Sequence, residues 1–425
     1  MDALVNPSRL EGSLRAVPSK SLSHRALIAA ACAEGLSTIN NSLHSDDISA
    51  TIQGLRALGA TIDGAMVLGG LKKEGNVIID ANESGSTLRF LIPLALSTQA
   101  KVTFIGKGRL PDRPLSPYKE AFKTIKTFET PPNKTLPLTC EGPLASGNYY
   151  LAGDISSQFV SGLLFALPMV KGDSTIHLTS TLQSKSYVNL TLDVLAKFGI
   201  KVQPTKNGYT IKGQQRYRPS TIHIEGDYSQ AAFFIVGGFL NGSVTIHDLH
   251  QDSKQGDYAI VPIMKAMGAT IEHNKKHNTI TVISNHRLPS VIDLADCPDL
   301  GPILMIAAAA TQGETTFNHV KRLRFKESDR LSVMIDIVKR LGAEVTLNDD
   351  SLLIHGVKQF KGNQTFDSYH DHRIAMALSI AALHADMPLK ITNIDCIKKS
   401  YPNFFEDYEA LSGQVTFIKE GNERL

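Results

Sequence analysis

The sequence predicts an α/β protein of two similar domains, each made of three repeated units. Three observations carry this. The chain has 425 residues, long enough for two or three domains. A polar cluster opening an apolar helical run, followed by a β-branched strand, recurs six times. A second helix ending on glycine recurs within most of these copies.

In chain order, Ser21-Leu22-Ser23-His24-Arg25 leads into ALIAAACAEG and STINN, and Gly85-Ser86-Thr87-Leu88-Arg89 into FLIPLALSTQ and KVTFIG. Ser156-Ser157-Gln158 precedes FVSGLLFALPMVKGD and STIHLT, and Tyr228-Ser229-Gln230 precedes AAFFIVGGFLNG and SVTIHD. Asp299-Leu300-Gly301 opens PILMIAAAATQG, and Asp371-His372-Arg373 opens IAMALSIAALHADM. With Ser21, Gly85, Ser157, Ser229, Asp299 and His372 as anchors, the steps are 64, 72, 72, 70 and 73 residues. The glycine-ended helices close at Gly59, Gly199, Gly268, Gly342 and Gly413, where a left-handed cap is expected. Ser45-Asp46-Asp47 supplies an N-cap and acidic first turn. PYKEAFKTI lacks the closing glycine, so the second copy is degenerate.

Helices apolar all round must be buried. A solenoid suits them poorly, because its period is usually shorter and they need covering on every side. Two globular domains fit better, with a boundary near Glu225-Gly226-Asp227.

Composition excludes several function classes. No apolar run approaches the ~18 residues of a membrane helix, and MDALVNPSRLEG lacks a signal-peptide core, so a cytoplasmic protein is expected. A net charge of +3, from 44 basic and 41 acidic residues, gives no general case for nucleic acid. Cys32, Cys140, Cys297 and Cys396 form no CxxC pair, and the 14 histidines include no HExxH. Reduced cysteines and no metal site follow as expectations. Cys297 reads as a packed core thiol rather than a nucleophile.

The helix starts are rich in Lys20, Ser21, Arg25, Gly85, Arg89, Ser156, Ser157, Gln158, Asp371, His372 and Arg373. Capping alone explains Ser, Asp and Gly there. It does not explain Lys20, Arg25 and Arg373, because cations at a helix N-terminus oppose its dipole. Together these residues point to binding of phosphate or carboxylate. Lys321 to Arg330 is the densest charge cluster, with Ser328 as the expected N-cap of the helix that follows.

ANESGSTLRF (81–90) and RFKESDRL (324–331), with PSKSLSHR, PDRPL, DISSQF, SKSY, EGDYSQAAF, DHRIAMA and KKSYPNFF in order and spacing, resemble the shikimate branch of the enolpyruvyl transferase family. The resemblance implies two domains of three βαβαββ units around buried helices, an inside-out α/β barrel. Residues 1–19 and 226–425 would form one domain and 20–225 the other, with the active site in a closing cleft between them. It implies transfer of the enolpyruvyl group of phosphoenolpyruvate to the 5-hydroxyl of shikimate 3-phosphate, without cofactor or metal. A monomer with no nucleic-acid or membrane partner is expected.

By motif, Lys20, Gly85, Arg113, Gln158, Arg330, Arg373 and Lys399 would hold phosphoenolpyruvate. Lys20, Ser21, Arg25, Ser156, Ser157, Gln158, Ser184, Tyr187, Asp299 and Lys326 would hold shikimate 3-phosphate. Asp299 would act on the hydroxyl and Glu327 on the carbon, with Lys20, His372 and Lys399 as supporting donors. Glu83, Ser86 and Arg322 depart from the family pattern. A UDP-N-acetylglucosamine enolpyruvyl transferase would carry a cysteine in the loop that here reads GKGRLPDRP. A plain anion binder would gain nothing from Asp299 and Glu327.

Overall fold

The computed structural model describes residues 1–418 and divides into two compact units, Pro18–Ile224 and Met1–Val17 with Glu225–Leu425. The helices of the first unit are α1 (Lys20–Cys32), α2 (Asp46–Ala57), α3 (Gly85–Leu96), α4 (Ser116–Ala121), α5 (Ser157–Ala166) and α6 (Lys185–Lys197). Those of the second are α7 (Tyr228–Asn241), α8 (Ile260–Ala266), α9 (Gly301–Ala309), α10 (Arg330–Arg340), α11 (His372–Ala381) and α12 (Phe404–Ala410). None of them is long and apolar enough to cross a membrane.

Among the described residues the strands form six four-stranded sheets, and each repeats one pattern. In one, Val291–Asp293 runs parallel to Gly313–Asn318, Ser351–Gly356 pairs antiparallel with the latter, and Glu344–Asn348 forms the edge. Alternation of side chains sets the faces: Ile292, Phe317, Leu352 and Ile354 point into the core while Val291 faces out. The chain start is woven into the second unit. Asp2–Asn6 pairs between Leu389–Thr392 and Gln414–Ile418, and Leu10–Arg15 runs parallel to Gly242–His247.

The apolar helices α1, α3, α5, α7, α9 and α11 are buried along almost their whole length. In α9 the side chains of Ile303, Leu304, Met305 and Ile306 are all fully buried, each stabilising the unit by ~1.5–3 kcal/mol relative to exposure. By contrast α10 buries only the stripe of Leu331, Val333, Met334, Ile337 and Val338, together with Arg330.

Helix ends follow local chemistry. Ser19, Ser45, Ser84, Ser156, Asp227 and Asp371 each accept a backbone N–H at a helix start, satisfying donors that the helix leaves open. Gly59, Gly199, Gly268 and Gly342 take positive φ of 111°, 80°, 95° and 107° after their helices. Gly413 corrects the pattern. The left-handed residue there is Ser412, at φ 69°. Gly413 is needed for another reason: a Cβ would lie 2.4 Å from the Tyr408 ring. Ser328 is also not the cap expected of it. Asp329 accepts the Ser332 N–H at the start of α10, while the Ser328 hydroxyl donates to Asp371 Oδ2 at 2.9 Å.

Pro93 lies inside α3 and removes the N–H that would bond the carbonyl of Arg89. The Tyr118 hydroxyl takes that place, 2.7 Å from the Arg89 oxygen. Gly162 of α5 allows the approach, since a Cβ there would meet the Tyr118 hydroxyl at 2.1 Å and the Arg89 oxygen at 2.5 Å. The start of α3 is thus locked against α5.

Candidate active site

In the first unit the polar residues gather at the starts of α1, α3, α5 and α6. Lys20 opens α1 and pairs with Asp47 of α2 at 2.9 Å. Ser21 follows it, and its carbonyl accepts from Arg25 Nη1 at 2.8 Å. Arg25 is buried and also donates to Thr191 Oγ1 at 2.9 Å and the Tyr187 carbonyl at 3.0 Å. Thr191 is held in turn by Ser161 Oγ at 2.8 Å. Burial, against a smaller opposing effect of Tyr187, lowers the Arg25 pKa to about 10. Its guanidinium lies 5.1 Å above the Phe90 ring, a favourable cation–π contact.

Gly85 opens α3, where an added Cβ would stand 2.7 Å from Arg113 Nη1 and 3.0 Å from Cζ. The absence of a side chain is what lets this guanidinium lie against the helix start. Ser156 caps α5, ahead of Ser157 and Gln158. Gln158 accepts from Arg89 Nη1 at 2.7 Å and donates to Ser86 Oγ at 2.9 Å. Ser86, one of the departures from the family pattern, therefore has a defined role in orienting this amide. Ser184 precedes α6 in a left-handed conformation, φ 53°, which brings Tyr187 to Arg25.

In the second unit Arg330 is the hub. It is 1% exposed, and every guanidinium nitrogen meets a carboxylate. Nε and Nη2 bond Asp371 at 2.7 and 3.1 Å, Nη1 bonds Asp299 at 2.9 Å, and Nη2 bonds Glu327 at 2.7 Å. Lys326 Nζ reaches the same Asp299 oxygen at 3.0 Å, and Arg373 Nη2 lies 3.8 Å from its other oxygen. Burial opposes ionisation of Asp299, but Lys326, Arg373 and Arg330 together hold its carboxyl well below the usual range. Burial likewise opposes the charge on Arg330, and Asp371, Glu327 and Asp299 outweigh it and raise its pKa. Burial lowers the Lys326 pKa, with Asp299 opposing. Lys399 Nζ donates to the His370 carbonyl at 2.8 Å. His372 is buried at the start of α11, with Nδ1 4.0 Å from Asp371 Oδ1. Arg322 donates to the Ala295 carbonyl at 3.4 Å.

Sequence reasoning missed three carboxylates. Asp47 was accounted for by a helix start and Asp371 was grouped with the anion-binding helix starts, so nothing in the sequence pointed to their pairing with Lys20 and Arg330. Asp257 carried no signal at all. It is buried, and burial together with the neighbouring Asp299 raises its pKa to about 6. Cys32, Cys140, Cys297 and Cys396 are all buried free thiols, and burial, with nearby aspartates adding to it, pushes the Cys297 pKa up. A buried thiol held protonated is a poor nucleophile. Among the described residues no cluster of His, Cys, Asp and Glu could hold a metal ion.

Helix starts lined by Lys, Arg, Ser and Gly in one unit, and a buried Arg–carboxylate cluster in the other, suit two small anionic substrates. The fold is that of the enolpyruvyl transferases: it matches one from Streptomyces tendae with a TM-score of 0.77 over 98% of both chains, at 17% identity. Residues 4–408 match the family described as EPSP synthase (3-phosphoshikimate 1-carboxyvinyltransferase). The chain is 45% identical over 417 residues to 3-phosphoshikimate 1-carboxyvinyltransferase of Clostridium kluyveri, covering 97% of each chain. It is 44% identical over 423 residues to that of Clostridium acetobutylicum, again covering 97% of each. EPSP synthase from Acinetobacter baumannii superposes with a TM-score of 0.80 at 26% identity, over 98% of this chain and 100% of that one. The chain belongs to the EPSP synthase family. It transfers the enolpyruvyl group of phosphoenolpyruvate to the 5-hydroxyl of shikimate 3-phosphate and releases phosphate.

Proposed function

We propose that the residues on the two units divide this reaction between them and act on one bound pair of substrates. Lys20, Gly85, Arg113, Gln158, Arg330, Arg373 and Lys399 hold phosphoenolpyruvate. Lys20, Ser21, Arg25, Ser156, Ser157, Gln158, Ser184, Tyr187, Asp299 and Lys326 hold shikimate 3-phosphate. The units themselves are read as three βαβαββ repeats each, forming an inside-out α/β barrel. The enzyme acts as a monomer in the cytoplasm, with these small molecules rather than nucleic acid or membrane as partners.

Addition removes the proton of the 5-hydroxyl and delivers one to the methylene carbon, making a methyl group. Elimination of phosphate takes a methyl proton back. Two carboxylates in different settings can share such work. Asp299, kept ionised by three cations, accepts the hydroxyl proton, and Glu327 exchanges the carbon proton. Lys20, His372 and Lys399 act as supporting donors.

The observation that carries this reading is that Arg330 bonds both Asp299 and Glu327. Four of its five N–H groups are taken, both of those on Nη2 among them, so a substrate carboxylate that engages Nη2 displaces one of these partners. Displacing Glu327 from Nη2 would release that carboxyl when phosphoenolpyruvate arrives. Glu327→Gln keeps the size and removes the exchangeable proton. Its kcat should fall by at least ~10²-fold with the melting temperature unchanged, and deuterium from heavy water should no longer enter the methylene carbon. Turnover within a factor of ~3 of wild type would reduce Glu327 to a partner of Arg330 alone.

A further inference from the structure

Beneath the helix starts of the first unit, side chains from three helices form one hydrogen-bonded run. His24 Nδ1 of α1 lies 2.7 Å from Thr51 Oγ1 of α2. That oxygen lies 2.6 Å from Thr87 Oγ1 of α3. The Thr87 hydroxyl donates onward to Ser84 Oγ at 2.8 Å and, more weakly, to the Asp47 carbonyl at 3.3 Å. His24, Thr51, Thr87 and Ser84 are each at most 1% exposed.

Both ends of the run reach substrate-facing groups. Ser84 caps α3, accepting the Thr87 backbone N–H at 3.1 Å, and stands immediately before Gly85. Asp47 carries the carboxylate that pairs with Lys20.

Proton counting gives the run a direction. Burial, with Lys20 and Arg25 adding to it, holds the His24 pKa well below its ordinary value, so the ring is neutral and has one N–H. The Thr87 proton goes to Ser84 and Asp47, so Thr87 accepts from Thr51. The Thr51 proton is then committed, and His24 Nδ1 must be the donor. Nε2 is left as a bare acceptor, and it has no partner among the described residues. An unpaired buried acceptor is tolerated better than an unpaired buried N–H. The hydrogen bonds therefore all point from the imidazole toward the helix starts, an arrangement in which each strengthens the next.

We infer that His24, Thr51 and Thr87 are positioning residues for phosphoenolpyruvate, fixing the starts of α2 and α3 against α1 and so setting Lys20, Asp47 and Gly85. The inference rests on the reading that Lys20 and Gly85 bind this substrate. Shikimate 3-phosphate is affected less, because Lys20 is the one proposed contact it shares with the groups set by the run, whereas Ser21, Arg25, Ser156, Ser157 and Ser184 lie outside it.

Thr51→Val conserves volume and deletes the hydroxyl shared by two of the bonds. It should raise KM for phosphoenolpyruvate ~10-fold while KM for shikimate 3-phosphate and kcat stay within ~3-fold, since small misplacements cost disproportionately. Thr51→Ser should restore the wild-type value, and His24→Leu should show the same selective rise. Should Thr51→Val not fold, Thr87→Val is read in the same way. Gly85→Ala serves as the control for the underlying site. If Gly85→Ala raises KM for phosphoenolpyruvate but Thr51→Val and His24→Leu leave both KM values within ~2-fold, the run is ordinary core and the inference is overturned, whatever happens to the melting temperature. If Gly85→Ala itself has no effect on that KM, the assignment of the site fails first and takes the inference with it.

Discussion

Gly85 shows how a single residue couples a helix start to Arg113, a proposed phosphoenolpyruvate contact. Arg113 rests where its side chain would be, so Gly85→Ala must push the guanidinium by several tenths of an ångström or more. Arg113 is the far end of a flexible side chain and yields more readily than the helix. Alanine is also the better helix former by ~1 kcal/mol. A raised KM for phosphoenolpyruvate and an unchanged melting temperature are the expected results. An equal KM would remove Gly85 from the pocket. Asp257 makes a prediction of a different kind. Its folded pKa of about 6 exceeds the unfolded value of ~3.9. Its contribution to stability is therefore fully present below ~3.9 and lost as pH rises through about 6. Asp257→Asn mimics the protonated form, so it should match wild type near pH ~4 and exceed it by up to ~3 kcal/mol at pH ~8. Urea unfolding at both pH values measures this, and a difference independent of pH would contradict it. Neither residue was equally legible. The glycine was visible as part of a motif, whereas Asp257 depends on neighbours 42 and 116 residues away, Asp299 and Arg373.

Among the elements, α3 was legible as an apolar helix in spite of Pro93, because the helical period continues on both sides of it. The compensation was not legible. It depends on Tyr118 of α4, the copy that seemed degenerate for want of its glycine, and on Gly162 of α5 making room. Tyr118→Phe removes the hydroxyl that bonds the Arg89 and Phe159 carbonyls and should destabilise the protein by ~1–3 kcal/mol. Adding Pro93→Ala restores an N–H for the Arg89 carbonyl and should recover part of the loss. Strict additivity of the two changes in chemical denaturation would show that hydroxyl and proline are not coupled. The glycine caps were legible wherever the helix simply ended, and failed at Gly413, where contact with Tyr408 rather than φ selects glycine.

At the scale of the whole molecule, the sixfold recurrence read from helix starts reappears as six sheets of one strand pattern. It was legible because each copy repeats the same apolar helix and cap. What periodicity could not reveal is that the chain start supplies strands to two sheets of the second unit, since pairing partners 232 to 416 residues apart leave no local trace. The same holds for the Arg330 cluster: Asp299 and Glu327 stood out by motif, but their meeting at one guanidinium is a product of tertiary structure. The proposed site serves enolpyruvyl transfer to shikimate 3-phosphate and to no nucleotide sugar. Steady-state phosphate release from phosphoenolpyruvate, measured with shikimate 3-phosphate and separately with UDP-N-acetylglucosamine, tests it most directly. Turnover with shikimate 3-phosphate and none with the nucleotide sugar is the predicted result; release driven by UDP-N-acetylglucosamine, or by neither acceptor, would contradict it.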